Sequence, residues 1–176
     1  MRSSSEWASP IHTVRKKDGD IRLVGDYRRL NEVTKADAFS VPLIGEIANR
    51  LHGATTFSKV DLASAYMHIK VNEEDQEKTA IATPFGSFEF VYMPFGLKNA
   101  GASFQRFITH ATQDLPFVTA YVDDVLVHST SREEHLRHLR ILFHRLDQLG
   151  LRLRRDKCAF LQQRISFLGH QLSAQG

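Results

Sequence analysis

Two adjacent aspartates, Asp123 and Asp124, break an otherwise apolar run, Tyr121-Val122-Asp123-Asp124-Val125-Leu126-Val127. Like charges side by side in a half-buried setting repel each other, and desolvation adds to the cost. Exposed turn residues are the plain account of such a pair, since aspartate is common in turns. A second apolar run, Phe57-Ser58-Lys59-Val60-Asp61-Leu62, is broken in the same way by Asp61. Three carboxylates brought together by a fold would need cations. Hard oxygen ligands with no His or Cys partner favour Mg²⁺ over Zn²⁺. Two such ions side by side are the usual apparatus for in-line phosphoryl or nucleotidyl transfer. His135, His138 and His144 have no carboxylate or cysteine pattern around them that makes a zinc site.

The apolar periodicity shows what could bring the carboxylates together. Residues 57–62 read as a buried strand, and 99–113 as a helix with Ala102, Phe104, Phe107 and Ile108 on its apolar face. Residues 117–122 and 125–128 read as strands on either side of Asp123-Asp124. Ser131 and Glu134 form a capping-box pattern that opens a helix. Leu136, Leu139, Leu142, Phe143, Leu146 and Leu149 line its apolar face, and Gly150 ends it. Residues 151–154 and 165–172 are late strands. With the insertions set aside, the order from Phe57 is strand, helix, strand, turn, strand, helix, strand, the ferredoxin-like βαββαβ plan of an α+β fold. In that plan the first strand lies beside the central hairpin, so Asp61 ends near Asp123 and Asp124.

Upstream, residues 11–14 and 21–24 read as a hairpin across Lys17-Asp18-Gly19-Asp20, carrying Arg15, Lys16, Lys17 and Arg22. A helix opens at Pro42-Leu43 and ends at His52-Gly53. Residues 66–71, 79–83 and 88–92 read as strands, the last two joined at Pro84-Phe85-Gly86.

The 176 residues are 42% hydrophobic and 24% charged, which excludes disorder, collagen and coiled coil. The single cysteine, Cys158, has no partner within the chain. This argues against a disulfide-rich secreted scaffold and fits an intracellular, reducing compartment, cytoplasmic or nuclear. No apolar run approaches the roughly 20 residues of a membrane span, and the first seven residues do not read as a signal peptide. The net charge of +3 mildly favours a polyanionic partner.

Several blocks then stand in a telling order. They are Trp7-Ala8-Ser9-Pro10, Lys16-Lys17-Asp18-Gly19, Gly25-Asp26-Tyr27-Arg28-Arg29-Leu30-Asn31, Phe57-Ser58-Lys59-Val60-Asp61-Leu62 and Ala65-Tyr66. Lys78-Thr79-Ala80, Met93-Pro94-Phe95-Gly96-Leu97, Phe104-Gln105-Arg106, Tyr121-Val122-Asp123-Asp124, Lys157-Cys158-Ala159-Phe160 and Phe167-Leu168-Gly169-His170 follow. Over nearly its whole length the chain resembles the reverse transcriptases of gypsy-type long-terminal-repeat retrotransposons. Tyr121-Val122-Asp123-Asp124 is similar to their YxDD box.

The resemblance implies a fingers subdomain over about 1–53 and 72–96 and a polymerase palm over about 54–71 and 97–176, with the thumb absent. It implies an RNA-directed DNA polymerase that takes a primed RNA or DNA template and deoxynucleoside triphosphates. Asp61, Asp123 and Asp124 would be its catalytic and metal-binding residues, holding two Mg²⁺ ions, with Mn²⁺ as a substitute. Lys16 and Arg22 would reach the nucleotide's phosphates. Tyr66 would lie under its sugar and exclude a 2′-hydroxyl, and Phe95 and Gly96 would lie against the new base pair. Phe167, Leu168, Gly169 and His170 would form the primer grip. Asp26 and Arg28 would pair with template-side backbone or with each other. Arg152, Arg154, Arg155 and Lys157 would form a solvated face or touch phosphate. Gly101-Ala102 and His68 depart from the family pattern, where Pro-Ala and glutamine are usual. The family's thumb, connection and ribonuclease H regions would belong to a parent polyprotein. A truncated or host-retained remnant that binds nucleic acid without polymerising is the alternative. Another palm-type nucleotidyltransferase, such as a cyclase, has no primer to grip and fits less well.

Overall fold

The computed structural model describes residues 1–15, 19 and 21–175. Its elements in chain order are β1 Ser9–Arg15, β2 Ile21–Gly25, α1 Arg28–Val33, α2 Ile44–Arg50, β3 Thr56–Asp61, α3 Glu73–Gln76, β4 Ile81–Thr83 and β5 Gly86–Phe88. Then come α4 Ala100–Thr112, β6 Val118–Tyr121, β7 Asp124–Ser129, α5 Arg132–Gln148, β8 Ala159–Gln162, β9 Arg164–Phe167 and β10 His170–Ser173. They form two units, Met1–Ala38 with Tyr66–Ser103 and Phe39–Ala65 with Phe104–Gly176.

The first unit is built on a sheet of order β2-β1-β4-β5, with β1 antiparallel to β2 and parallel to β4. Tyr27 is its anchor. It is 1% exposed, and its hydroxyl donates to the Thr79 carbonyl at 2.8 Å. Gly25 is required by that ring, since a Cβ there would lie 2.5 Å from Tyr27 Cζ. The expected hairpin is β1–β2, and its connecting turn falls almost wholly outside the described residues.

The second unit carries a sheet of order β6-β7-β3-β8, every neighbouring pair antiparallel. With β3, α4, β6, β7, α5 and β8 in succession, this is the ferredoxin-like plan that the periodicity predicts. Residues 125–129 of β7 are all buried because both sheet faces are covered. Such a strand reads as a continuous apolar run rather than an alternating one. Phe57 and Leu126 pack with Ile47, Ala54, Ile165 and Phe167 on one face. Ile47 thus draws α2 into this unit. On the other face α5 packs against β7 with His135, Leu139, Leu142 and Leu146 buried. His135 is fully buried between Ser58 Oγ, 2.7 Å from Nε2, and Ser129 Oγ, 2.8 Å from Nδ1. The Ser58 and Ser129 hydroxyls are thereby paired in the core. Leu136 and Leu149, expected on this apolar face, are exposed instead.

Four strand expectations are corrected, the first being 88–92, of which only Phe88 lies in a strand, at the end of β5. Residues 65–68 form a 3-10 turn, and Lys70 reaches only a single bridge to Tyr92. The Tyr66, His68, Lys70 alternation reflects a turn whose Ile69 N–H donates to Tyr66 O at 3.1 Å. Residues 151–154 form no strand beyond the Leu62–Leu153 bridge, and β8 takes the fourth place in the sheet instead. Residues 165–172 divide into β9 and β10 around Leu168 and Gly169, both with positive φ, the backbone of a two-residue type I′ turn. Among the described residues no helix is long and apolar enough to cross a membrane.

His128 on β7 gives this unit a pH limit. Its buried Nε2 has no hydrogen-bond partner. Burial, reinforced by the charges of His138 and Arg50, pushes its pKa from 6.5 down to about 4. The folded state therefore binds this proton less readily than the unfolded chain. Its contribution is whole above pH 6.5 and is lost progressively as pH falls toward 4. A loss of up to about 3 kcal/mol is expected across that window, read from urea midpoints. His128→Leu should flatten the slope there, and an unchanged slope would show that His128 is not its source.

Candidate functional site

The acidic cluster is made by the register of two strands. β3 pairs with β7 from Thr56↔Ser129 to Asp61↔Asp124. Residues directly opposite in an antiparallel pair share a face, with Cβ atoms roughly 5 Å apart. The carboxylates of Asp61 and Asp124 therefore stand on one face. Asp123 lies one residue earlier, in the two-residue turn between β6 and β7, and its carbonyl accepts from Leu62 N–H at 3.0 Å.

Cations answer this charge. Lys59, two residues before Asp61 on the same face, places Nζ 2.9 Å from Asp124 Oδ1. Arg154 donates its backbone N–H to Asp61 O at 2.9 Å, and its Nε lies 4.0 Å from Asp61 Oδ1. Asp61 N–H donates to Cys158 Sγ at 3.4 Å. Asp61 Oδ1 is buried with no hydrogen-bond partner. Desolvation raises the Asp61 pKa, Arg154 opposes the rise, and the charges of Asp123 and Asp124 add to it. An orphaned buried carboxylate oxygen between two further carboxylates suits a hard divalent cation. Among the described residues, no group of three or more His, Cys, Asp or Glu side chains is gathered to hold a metal by itself. Lys59 occupies an oxygen of Asp124 at 2.9 Å, whereas Arg154 stands off from Asp61 at 4.0 Å.

The turn that carries Asp123 is strained. Val122 has φ +52, a region where a β-branched residue costs about 1–3 kcal/mol. Its N–H donates to Gln105 Oε1 at 2.7 Å.

The first unit gathers a second group of the expected residues. The Arg22 guanidinium lies 4.2 Å from the centroid of the Phe95 ring, and Tyr66 meets Phe95 edge-on at 5.4 Å. Gly96 has φ +98, and a Cβ there would come within 3.3 Å of both Gly25 O and Val24 Cγ1. Its close approach to β2 thus requires glycine. Asn31 ties this loop down, donating to Gly96 O at 2.8 Å and accepting from Lys98 N–H at 2.8 Å. Lys16 lies outside the described residues. Asp26 and Arg28 pair with each other, Nε to Oδ1 at 2.8 Å and Nη2 to Oδ2 at 2.6 Å, which holds the Asp26 carboxyl at about 2.

At the other expected positions, Phe167 is a core residue, 2% exposed, and Leu168 packs against the same cluster. Gly169 and His170 continue the β9–β10 turn, with His170 exposed. Arg154 faces Asp61, while Arg155 and Lys157 lie in a 3-10 turn. Sequence reasoning missed two contributors, Lys59 and Gln105. Each was visible as a polar residue within an apolar stretch, but a cross-strand or helix-to-turn partner leaves no local pattern.

A family model described as reverse transcriptase (RNA-dependent DNA polymerase) matches residues 14–172. The Transposon Tf2-3 and Tf2-7 polyproteins of Schizosaccharomyces pombe are each 37% identical to the chain over 171 residues, covering 96% of it. The chain spans 13% of the length of those relatives. The foamy viral protease-reverse transcriptase in complex with RNA/DNA hybrid matches with a TM-score of 0.90 at 25% identity, over 100% of this chain and 24% of that one. The dRH form of that protein in complex with ds DNA matches at 0.93 and 26%, over 100% and 31%.

The ion pair at this site can be tested directly. Lys59→Met leaves Asp124 opposite Asp61 with no neutralising ammonium. It should lower the stability of the chain by about 1–2 kcal/mol at pH 7 in urea unfolding. Millimolar Mg²⁺ should then restore more stability to the variant than it adds to the parent. An unmoved midpoint would show that solvent already screens the acidic pair.

Proposed function

The chain belongs to the reverse transcriptase (RNA-dependent DNA polymerase) family, among those of gypsy-type retrotransposons, and we propose that it is a catalytic core that adds deoxynucleotides to a primer 3′-hydroxyl on an RNA or DNA template. One observation carries this reading: the β3–β7 register sets Asp61 opposite Asp124 with Asp123 beside them, around a buried carboxylate oxygen that no protein donor satisfies. The foamy viral neighbours were solved with RNA/DNA hybrid and with ds DNA, which supports a primed duplex as the partner.

Asp61 and Asp123 would hold two Mg²⁺ ions, with Asp124 in support. Bound there, the ions supply Lewis-acid charge for the attacking hydroxyl and for the departing pyrophosphate. The chain's own residues do the rest. Lys59 keeps the Asp124 carboxylate from being repelled out of the cluster. Arg22 offers a planar fork of donors suited to triphosphate oxygens, and Lys16 a point charge beside it. The guanidinium rests on the Phe95 face, a contact it could exchange for an incoming anion at modest cost. Tyr66, braced by Phe95, would bound the space beside C2′ of the sugar. Phe95 and Gly96 would line the new base pair. The turn Phe167-Leu168-Gly169-His170, its apolar half sunk in the core, would present a rigid edge to the primer. The relatives are far longer polyproteins, and their thumb, connection and ribonuclease H regions would add backbone contacts that strengthen the hold on a duplex.

Asp123→Asn should abolish Mg²⁺-dependent primer extension, by at least about a hundredfold, with the circular dichroism spectrum unchanged. Extension that persists in this variant in metal-free buffer would overturn the two-metal reading. Tyr66→Ala should raise ribonucleotide incorporation relative to deoxynucleotide, as the ratio of kcat/KM values. An unchanged ratio would make Tyr66 a packing residue.

A further inference from the structure

Gln105 is 1% exposed, and its whole side-chain amide is spent on the acidic hairpin and its own helix. Oε1 accepts from Val122 N–H at 2.7 Å, and Nε2 donates to Ala120 O at 3.0 Å and to Thr109 Oγ1 at 3.1 Å. Ala120 and Val122 flank Tyr121, so one planar amide spans the end of β6 and the first residue of the turn. A donor and an acceptor fixed in one plane are what a carboxamide offers and what no apolar or singly charged side chain can reproduce.

The residue held at that point is the strained one. Of the two turn residues only Val122 has positive φ. A two-residue hairpin with that pattern ordinarily takes glycine there. A branched residue persists in such a conformation only where its surroundings over-determine it. The surroundings here are the Gln105 amide on the Val122 side and the Leu62 N–H to Asp123 O bond on the other.

We propose that Gln105 is a positioning residue: its amide holds Val122 in the left-handed conformation and so fixes where the Asp123 carboxylate stands beside Asp61. The proposal rests on reading Asp61 and Asp123 as the carboxylates of the polymerase site. It differs from a merely well-paired core glutamine in one respect. Its removal should disturb the turn and the chemistry more than the fold, and lowering the strain should compensate.

The test uses the ¹⁵N-labelled full chain, with Gln105→Leu, Gln105→Glu and the double variant Gln105→Leu/Val122→Gly. Gln105→Glu keeps an acceptor for Val122 N–H and loses the donor to Ala120 O, so it serves if the leucine variant folds poorly. Two readouts are taken, amide hydrogen exchange at residue 122 and Mg²⁺-dependent primer extension. In Gln105→Leu the Val122 amide should exchange at least about tenfold faster, the scale of one lost hydrogen bond, while amides in β3 and α5 keep their protection. The kcat should fall by a similar factor or more, with the nucleotide KM little changed. Gln105→Glu should fall between parent and Gln105→Leu, and Val122→Gly should recover part of the kcat lost in Gln105→Leu. Unchanged Val122 exchange in both single variants would overturn the proposal, as would a kcat loss that Val122→Gly leaves untouched. If the parent chain shows no metal-dependent extension, the polymerase reading of this fragment fails. The exchange comparison still decides whether Gln105 holds the turn.

Discussion

The pairing of β3 with β7 is the constraint on which the second unit depends. Side chains in a strand alternate between faces, so a slip of one residue would exchange the two sets completely. In the observed register Phe57, Lys59, Asp61, Asp124, Leu126 and His128 share one face, and Ser58, Val60, Val125 and Val127 share the other. The first set places an apolar cluster at one end of the strand pair and charge at the other. The second gives α5 an apolar surface with one polar hole, which His135 and the two serines fill. A slip would drive Lys59 and Asp61 against α5 and lift Ser58 away from His135. The burial that stabilises the sheet and the geometry that gathers the acids are thus a single choice of register.

The palm-like order of elements was legible because its helices are long, amphipathic and capped, and because its strands are short apolar runs between turn residues. Helix α5 shows where this holds and where it fails. Ser131 does cap it, accepting from Glu134 N–H at 3.2 Å. Yet hydropathy put Leu136 inside and passed over His135, since no property of an isolated histidine tells that two serines await it. The three aspartates were legible as charges where charge is costly. What held them was not, because Lys59, Arg154 and Gln105 act through partners on other elements. The missed strand β8 has a similar cause. Leu161 has φ +55 and the ladder to β3 shifts register there, so the segment has no regular alternation to read.

The electrostatics of the two units differ in kind. In the second, three carboxylates lie among apolar strands, and protein cations offset them only in part. In the first, Arg22 has its guanidinium over an aromatic face, whereas Arg28 nearby in sequence is paired with Asp26 by two hydrogen bonds. A bidentate pair takes up two of a guanidinium's five donors, while a ring contact takes up none of them. Of two arginines on neighbouring elements, one is stacked on a ring and the other is paired with a carboxylate.

The β6–β7 hairpin and α5 follow one another directly, so their contacts close over short stretches of chain. Strand β3 is separated from β7 by the first unit's later residues, α4 and β6. Pairing them requires closing a long loop, which slows the step and places it after the local ones. Asp61 arrives with that strand. Asp123 and Asp124 are thus neighbours in one short turn, while Asp61 joins them only through a pairing between distant parts of the chain. The acidic cluster is complete only when that long-range pairing is.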